Sequence, residues 1–124
     1  MRITVLSFSY RHGPPPEADF VFDARFLINP HYVEGLRQHT GRQREVGEYI
    51  AADPLFPSFF GQLQALLLPL LPRYKEKGRT ALTLAVGCTG GRHRSVCVAE
   101  RLGEALKGAG YPVQVHHRDM EEVL

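Results

Sequence analysis

Residues Gly87 to Val96 read GCTGGRHRSV, which puts a thiol, two hydroxyls, an imidazole, two guanidiniums and three glycines side by side. Thr80 to Val86 before it is a β-branched and aliphatic run, and Val96 to Leu102 after it has helical periodicity. The pattern predicts a strand, a glycine loop and a helix. Such a loop offers backbone N–H groups at the positive end of a helix dipole, where phosphate binds. Gly87, Gly90 and Gly91 keep Cβ atoms out of the way, and Arg92 and Arg94 supply fixed charge that grips phosphate bidentately. A plain turn between a buried strand and a helix is the competing reading, and so many polar groups around one glycine pair weigh against it. The segment is expected to be an anion site for a phosphoryl group.

Three other chemistries compete for these residues. Cys88, five intervening residues, then Arg94 and Ser95 match the phosphate loop of cysteine-dependent phosphatases, in which a thiolate attacks phosphorus while arginine holds the equatorial oxygens. A helix N-terminus beside two arginines favours the thiolate. That reaction needs a general acid, for which Asp53 and Asp19 are the loosely placed candidates, and Gly87 stands where those enzymes usually carry histidine. Nucleotide hydrolysis is not supported, because the stretch lacks the lysine and the spacing of a P-loop. Zinc is not supported either: His12, His31, His39, His93, His116 and His117 show no H-x3-H and no companion C-x2-C.

The elements that must position the loop follow from periodicity. Arg2 to Phe8 reads as a strand, broken by Tyr10 to Pro16 with its three prolines, and Ala18 to Ala24 as a second short strand. Asn29-Pro30 marks an ordered turn. Thr40 is expected to cap a helix running to about Ala52 and stopped by Asp53-Pro54, and Ser58 to cap a long one from Phe59 to about Lys77. Pro69 and Pro72 are expected to bend or split the latter, and Gly78 to end it. A helix from His93 to Lys107, a strand from Tyr111 to His116 and a tail with one helical turn complete the chain. Such an order predicts one α/β domain over 1–124, three-layered, with a small and mainly parallel sheet. Ligands gather at the carboxyl ends of such strands. The Cys88 loop and the Tyr10 to His12 loop both leave such ends.

Composition sets the frame. Hydrophobic residues are 44% and charged residues 23%, the balance of a globular protein, and no apolar run reaches the ~20 residues of a membrane span. Met1 to Phe8 is too short and too β-like for a signal peptide, so the expected setting is the cytoplasm. A net charge of +2 does not by itself argue for nucleic acid. Two cysteines, Cys88 and Cys97, make no disulfide framework.

Asp23-Ala24-Arg25-Phe26-Leu27-Ile28-Asn29-Pro30-His31-Tyr32, then Leu36-Arg37 through Thr40-Gly41, then Gly87 to Val96 together resemble the carboxy-terminal domain of the RapZ (YvcJ-type) proteins. Val115 to Asp119 resembles that domain's close. The resemblance implies bacterial origin and a fold similar to a phosphofructokinase subdomain. It also implies a non-catalytic regulatory role: binding N-acetylglucosamine-6-phosphate or a related aminosugar phosphate, and binding RNA that is delivered to a nuclease. By motif, Cys88, Thr89, Gly90 and Gly91 would wrap the phosphate, His93, Arg94 and Ser95 would complete the cradle, and His12 and His31 would reach the sugar or its phosphate. RNA contacts would fall to Arg37, Arg42, Arg44, Arg92 and Arg118. No cofactor or metal is implied; a separate ATPase or nuclease is an expected partner, as is a second copy of the chain.

Overall fold

Strands and helices alternate along residues 1–120, the part of the chain that this computed structural model describes. They are β1 (Arg2–Ser9), β2 (Phe20–Asp23), α1 (Arg44–Ala51), α2 (Phe56–Glu76), β3 (Ala81–Cys88), α3 (Arg94–Gly108) and β4 (Val113–His117), with short 3-10 turns at Tyr10–His12 and Pro30–Tyr32. The sheet order is β2-β3-β1-β4 and every pairing is parallel. The expected α/β domain with a small, mainly parallel sheet is therefore found, and the sheet is parallel throughout.

Alternation along the strands sorts the core into two faces. Ile3, Val5, Leu82, Leu84 and Val86 pack with Val46 and Ile50 of α1, Leu63, Leu67 and Leu71 of α2, and Val98, Leu102 and Leu106 of α3. Leu6, Phe8 and Ala85 point the other way, against Tyr10 and Ala18. The strand order explains this division. The connections β2 to β3 and β3 to β4 step across the sheet in one direction, so right-handed crossovers put their helices on the same face. The connection β1 to β2 steps back, and the proline-rich segment 10–19 crosses the opposite face. Segment, sheet and helices make the three layers.

Several boundaries differ from the sequence expectation. β3 runs two residues further, through Cys88, because Gly87 and Cys88 pair with Phe8 and Ser9. Thr40 does not cap α1. Its amide and hydroxyl both donate to Gln43 Oε1 (2.7 Å each), closing a turn that delays the helix to Arg44, with Gln43 as the capping residue. Ser58 does not cap α2 either; the helix starts at Phe56, after Asp53 Oδ1 accepts the Leu55 amide at 3.0 Å. Pro57 falls in its first turn, where no N–H is needed. α2 continues through Pro69 and Pro72. Both prolines are exposed, as are Ala65 and Leu68 four residues earlier, so the carbonyls that lose their donors turn toward water. The tail expected to form a helical turn begins instead as the end of β4, with the Arg118 amide bonded to Ser7 O at 3.0 Å; its last residues, 121–124, lie outside the described part.

Gly103 shows how closely α3 lies on the sheet: a Cβ there would meet Val115 Cγ2 at 2.5 Å. A mid-helix glycine replaced by alanine ordinarily gains ~1 kcal/mol. Here Gly103→Ala is expected to destabilise by about 1–3 kcal/mol, since the branched Val115 has little freedom to retreat. Urea unfolding gives the sign directly.

Candidate functional site

Parallel pairing decides where the site lies. The register Ser9 with Cys88, Ser7 with His117 and Asp23 with Gly87 brings four carboxyl ends to one edge of the sheet. A cleft of about 530 Å³ opens there, lined by Ser9, Arg11, His12, Asn29, His31, Tyr32, Cys88, Thr89, Gly90, Arg92, His93, Arg94 and Asp119. Of the residues singled out from sequence, the cleft gathers Cys88, Thr89, Gly90, His93, Arg94, His12 and His31. Gly91 and Ser95 support it from below. Gly91 has φ +70°, and a Cβ on it would meet Ser9 N at 2.9 Å and Asp119 Cβ at 3.1 Å. Ser95 is fully buried and accepts a hydrogen bond from Cys88 Sγ at 3.1 Å. Gly90 faces open space, with nothing within 4 Å of the position a Cβ would take.

The three residues after the glycines hold a strap formed by residues 25–41. Arg94, only 5% exposed, donates from Nη1 to Arg25 O (2.5 Å) and Leu27 O (3.0 Å), and from Nη2 to Thr89 Oγ1 (3.4 Å). Its Nε is buried and carries no hydrogen bond. His93 places Nε2 3.1 Å from Arg37 O. Arg92 donates to Gln38 O and to His39 O, the latter at 3.2 Å, while its own carbonyl accepts the Gly41 amide at 2.9 Å. Gly41 fits only because it has no side chain: a Cβ would stand 2.2 Å from His93 O. Thr40-Gly41, read in the sequence as part of a motif, is thus the seat of the strap on the start of α3. His93 faces this strap as well as lining the cleft.

Asp119, Ser9, Arg11, Asn29 and Tyr32 escaped the sequence reading. Asp119 Oδ2 accepts the Ser9 amide at 2.7 Å, Arg118 grips both its oxygens, and Ser9 Oγ donates to Thr89 O at 2.6 Å. Burial works to raise the Asp119 carboxyl, but Arg118, the Ser9 amide and His12 together hold it below its ordinary value. Only the pairing of β1 with β4 makes Asp119 a neighbour of Ser9; the Asn-Pro turn pointed to Asn29 without giving it a role.

The remaining candidates lie elsewhere. Asp19 sits at the opposite end of β2, where it pairs with Arg79 (2.9 Å) and accepts the Thr83 amide. Asp53 accepts the amides of Ile28 and Leu55. Neither lines the cleft, so neither is placed as a general acid for Cys88. Among the arginines considered for RNA, Arg42 pairs with Glu100, Arg44 with Glu48 and Arg118 with Asp119, and Arg37 donates to His31 O at 2.6 Å. Only Arg92 of the five lines the cleft. Among the described residues no group of three His, Cys, Asp or Glu is placed to hold a metal ion, and no single helix is long and apolar enough to cross a membrane.

The family model of the RapZ C-terminal domain matches residues 1–121. The chain belongs to the RapZ C-terminal domain family. Similar proteins are named nucleotide-binding protein: one from Paramagnetospirillum magneticum is 54% identical over 97% of this chain and 39% of its own length. Another from Rhodospirillum centenum is 54% identical over 98% and 36%, and one from Caldicellulosiruptor saccharolyticus 48% identical over 98% and 42%. The chain spans about two-fifths of the length of these curated relatives. Within the RapZ C-terminal domain the cleft, the strap and the clasp between them all fall inside the matched residues.

Burial holds His93 below the ordinary imidazole range, against the pull of the His39 and Arg37 carbonyls; burial does the same for His117, against Glu100. Below the ordinary value near 6.5 the unfolded chain therefore binds protons that the native state refuses. Stability should be full at about pH 7.5 and fall as the pH drops toward about 5, before the carboxylates titrate. Urea midpoints across that range check it, and His93→Gln should flatten part of the slope.

Proposed function

We propose that this chain is a non-catalytic binding domain whose cleft takes a phosphorylated metabolite, an aminosugar phosphate such as N-acetylglucosamine-6-phosphate. One observation carries the reading: Arg94 is a buried guanidinium bonded only to two carbonyls and a hydroxyl, with Nε unpaired, beside a glycine loop that is open at Gly90. A buried cation without a bonded carboxylate is destabilising by several kcal/mol, and an anion in the loop offsets that. The cleft volume falls within the ~300–1,000 Å³ of small-molecule sites. Its walls, Asn29 and His31 on one side and Ser9, Arg11 and His12 on the other, offer hydrogen bonds suited to a hydroxylated body rather than an apolar one. The name nucleotide-binding protein, carried by the relatives, is compatible with a phosphoryl ligand.

Turnover by Cys88 is supported less well. The thiol is 2% exposed and directed at Ser95 Oγ, and Asp119, the one carboxylate among the residues lining the cleft, is held in its ionised form rather than poised as an acid. Phosphorus NMR of N-acetylglucosamine-6-phosphate with the protein should show a shifted or broadened resonance with no growth of inorganic phosphate. A nucleoside monophosphate run in parallel should compete poorly. Growth of the inorganic phosphate line that disappears in Cys88→Ser would make the protein an enzyme instead.

Arg94→Ala should weaken binding by ~2–3 kcal/mol, the scale of charge-assisted hydrogen bonds left unmade. Gly90→Val, which adds bulk only to open space, should abolish binding while leaving the unfolding midpoint nearly unchanged. Unaltered affinity in both variants would place the ligand elsewhere.

A further inference from the structure

We propose that Tyr32 determines specificity in the cleft: its ring and the His31 imidazole form an open corner that receives one face of a pyranose whose phosphate lies in the loop at Gly90. This rests on the phosphate binding proposed above. Tyr32 is 80% exposed, well beyond the 37–58% of the other exposed large hydrophobic residues among those described, so its ring adds almost nothing to the core. The backbone beneath it is nonetheless held firmly. Pro30 is buried, Asn29 Oδ1 accepts the His31 amide at 3.0 Å, the Tyr32 amide donates to Asn29 O at 3.2 Å, and Arg37 Nε donates to His31 O at 2.6 Å. A ring carried on a tied turn and left uncovered at the lip of a cleft is a preformed contact surface, with little conformational entropy to lose on binding.

The Tyr32 and His31 rings stand 5.4 Å apart between centroids at 82°, so two aromatic walls meet at nearly a right angle. Both line the cleft beside Asn29, and Tyr32 carries the only ring without nitrogen among the lining residues. One cavity of about 530 Å³ joins this corner to Gly90 and Arg94, so a ring on Tyr32 and a phosphate in the loop can belong to one molecule. A pyranose matches the corner in kind: C–H bonds cover its faces and hydroxyls its rim. Those C–H hydrogens carry partial positive charge that the negative face of the tyrosine ring attracts, and the rim finds partners in Asn29 and the His31 nitrogens. A nucleobase also stacks on tyrosine. The wall across the cleft, Ser9, Arg11 and His12, supplies hydrogen-bonding groups for a rim of hydroxyls rather than a second apolar face for a base.

Calorimetry with N-acetylglucosamine-6-phosphate, inorganic phosphate and adenosine monophosphate tests the corner. Tyr32→Ala should weaken the sugar phosphate roughly three- to tenfold and leave inorganic phosphate, which brings no ring, unchanged. Tyr32→Phe should keep the wild-type affinity, because the ring face and not the hydroxyl makes the contact. The chain has no tryptophan, so Tyr32→Trp installs a single indole at the corner; its emission should change on adding the sugar phosphate and not on adding inorganic phosphate. Substituting so exposed a side chain should leave the urea midpoint where it is. Equal affinity of the wild type and Tyr32→Ala for the sugar phosphate overturns the proposal while phosphate binding stands. So does adenosine monophosphate, if it binds the wild type more tightly than the sugar phosphate and loses more in Tyr32→Ala, since the ring would then serve a base. If neither inorganic phosphate nor the sugar phosphate binds the wild type, the reading of the cleft fails and the role of Tyr32 falls with it.

Discussion

The buried charge of Arg94 is the constraint around which the rest of this structure is arranged. A guanidinium at 5% exposure must have its donors met, and the fold meets two of them with carbonyls from the 25–27 turn. Those carbonyls can be there only if the strap leaves β2 on the helix side of the sheet, passes the start of α3 and returns to it at Gly41. Backbone oxygens satisfy hydrogen bonds without cancelling charge, so the positive potential of Arg94 is delivered to the glycine loop instead of being spent on an internal carboxylate. Asp23 feels that charge but is bonded to Arg25, outside the cleft.

A clasp of this kind makes the loop and the strap one mechanical unit. Arg92, His93 and Arg94 are consecutive, yet they reach carbonyls as far apart in the chain as Arg25 and His39. Loop and strap are therefore bonded to each other, and the exposed residues of the strap include His31 and Tyr32, which line the cleft, and Arg37 and His39. The opposite wall is built on different physics. There the edge of the cleft is set by hydrogen bonds between the ends of β1 and β4, through Ser9, Arg118 and Asp119, and by the packing of Gly91 against them.

Much of the strand, loop and helix pattern was legible in the sequence because each element rests on local chemistry. β-branched runs marked β1 and β3, the glycine pair marked the loop, and helical spacing marked α3 to within a residue at each end. The errors came where local signals compete. Thr40 and Ser58 are both good capping residues, but Gln43 captured Thr40 and the Asp53 turn started α2 two residues ahead of Ser58. Pro69 and Pro72 interrupt α2 less than their chemistry implies because both face water, and exposure is a tertiary property.

The sequence by itself determined the kind of site: a glycine loop before a helix with arginines following it, and histidines in constrained loops, are statements about adjacent residues and need no fold. Only the tertiary structure decided what each of those residues does. It turned His93 toward the strap, Arg92 and Arg94 into ties that hold it, and Ser95 into a buried partner of Cys88. It also brought in Asp119, which lies 110 residues from Ser9 in sequence and 2.7 Å from it in space. The reason is the parallel sheet: every crossover returns the chain to the same end, so residues far apart in sequence converge at the carboxyl edge, and no periodicity along the chain records which of them meet.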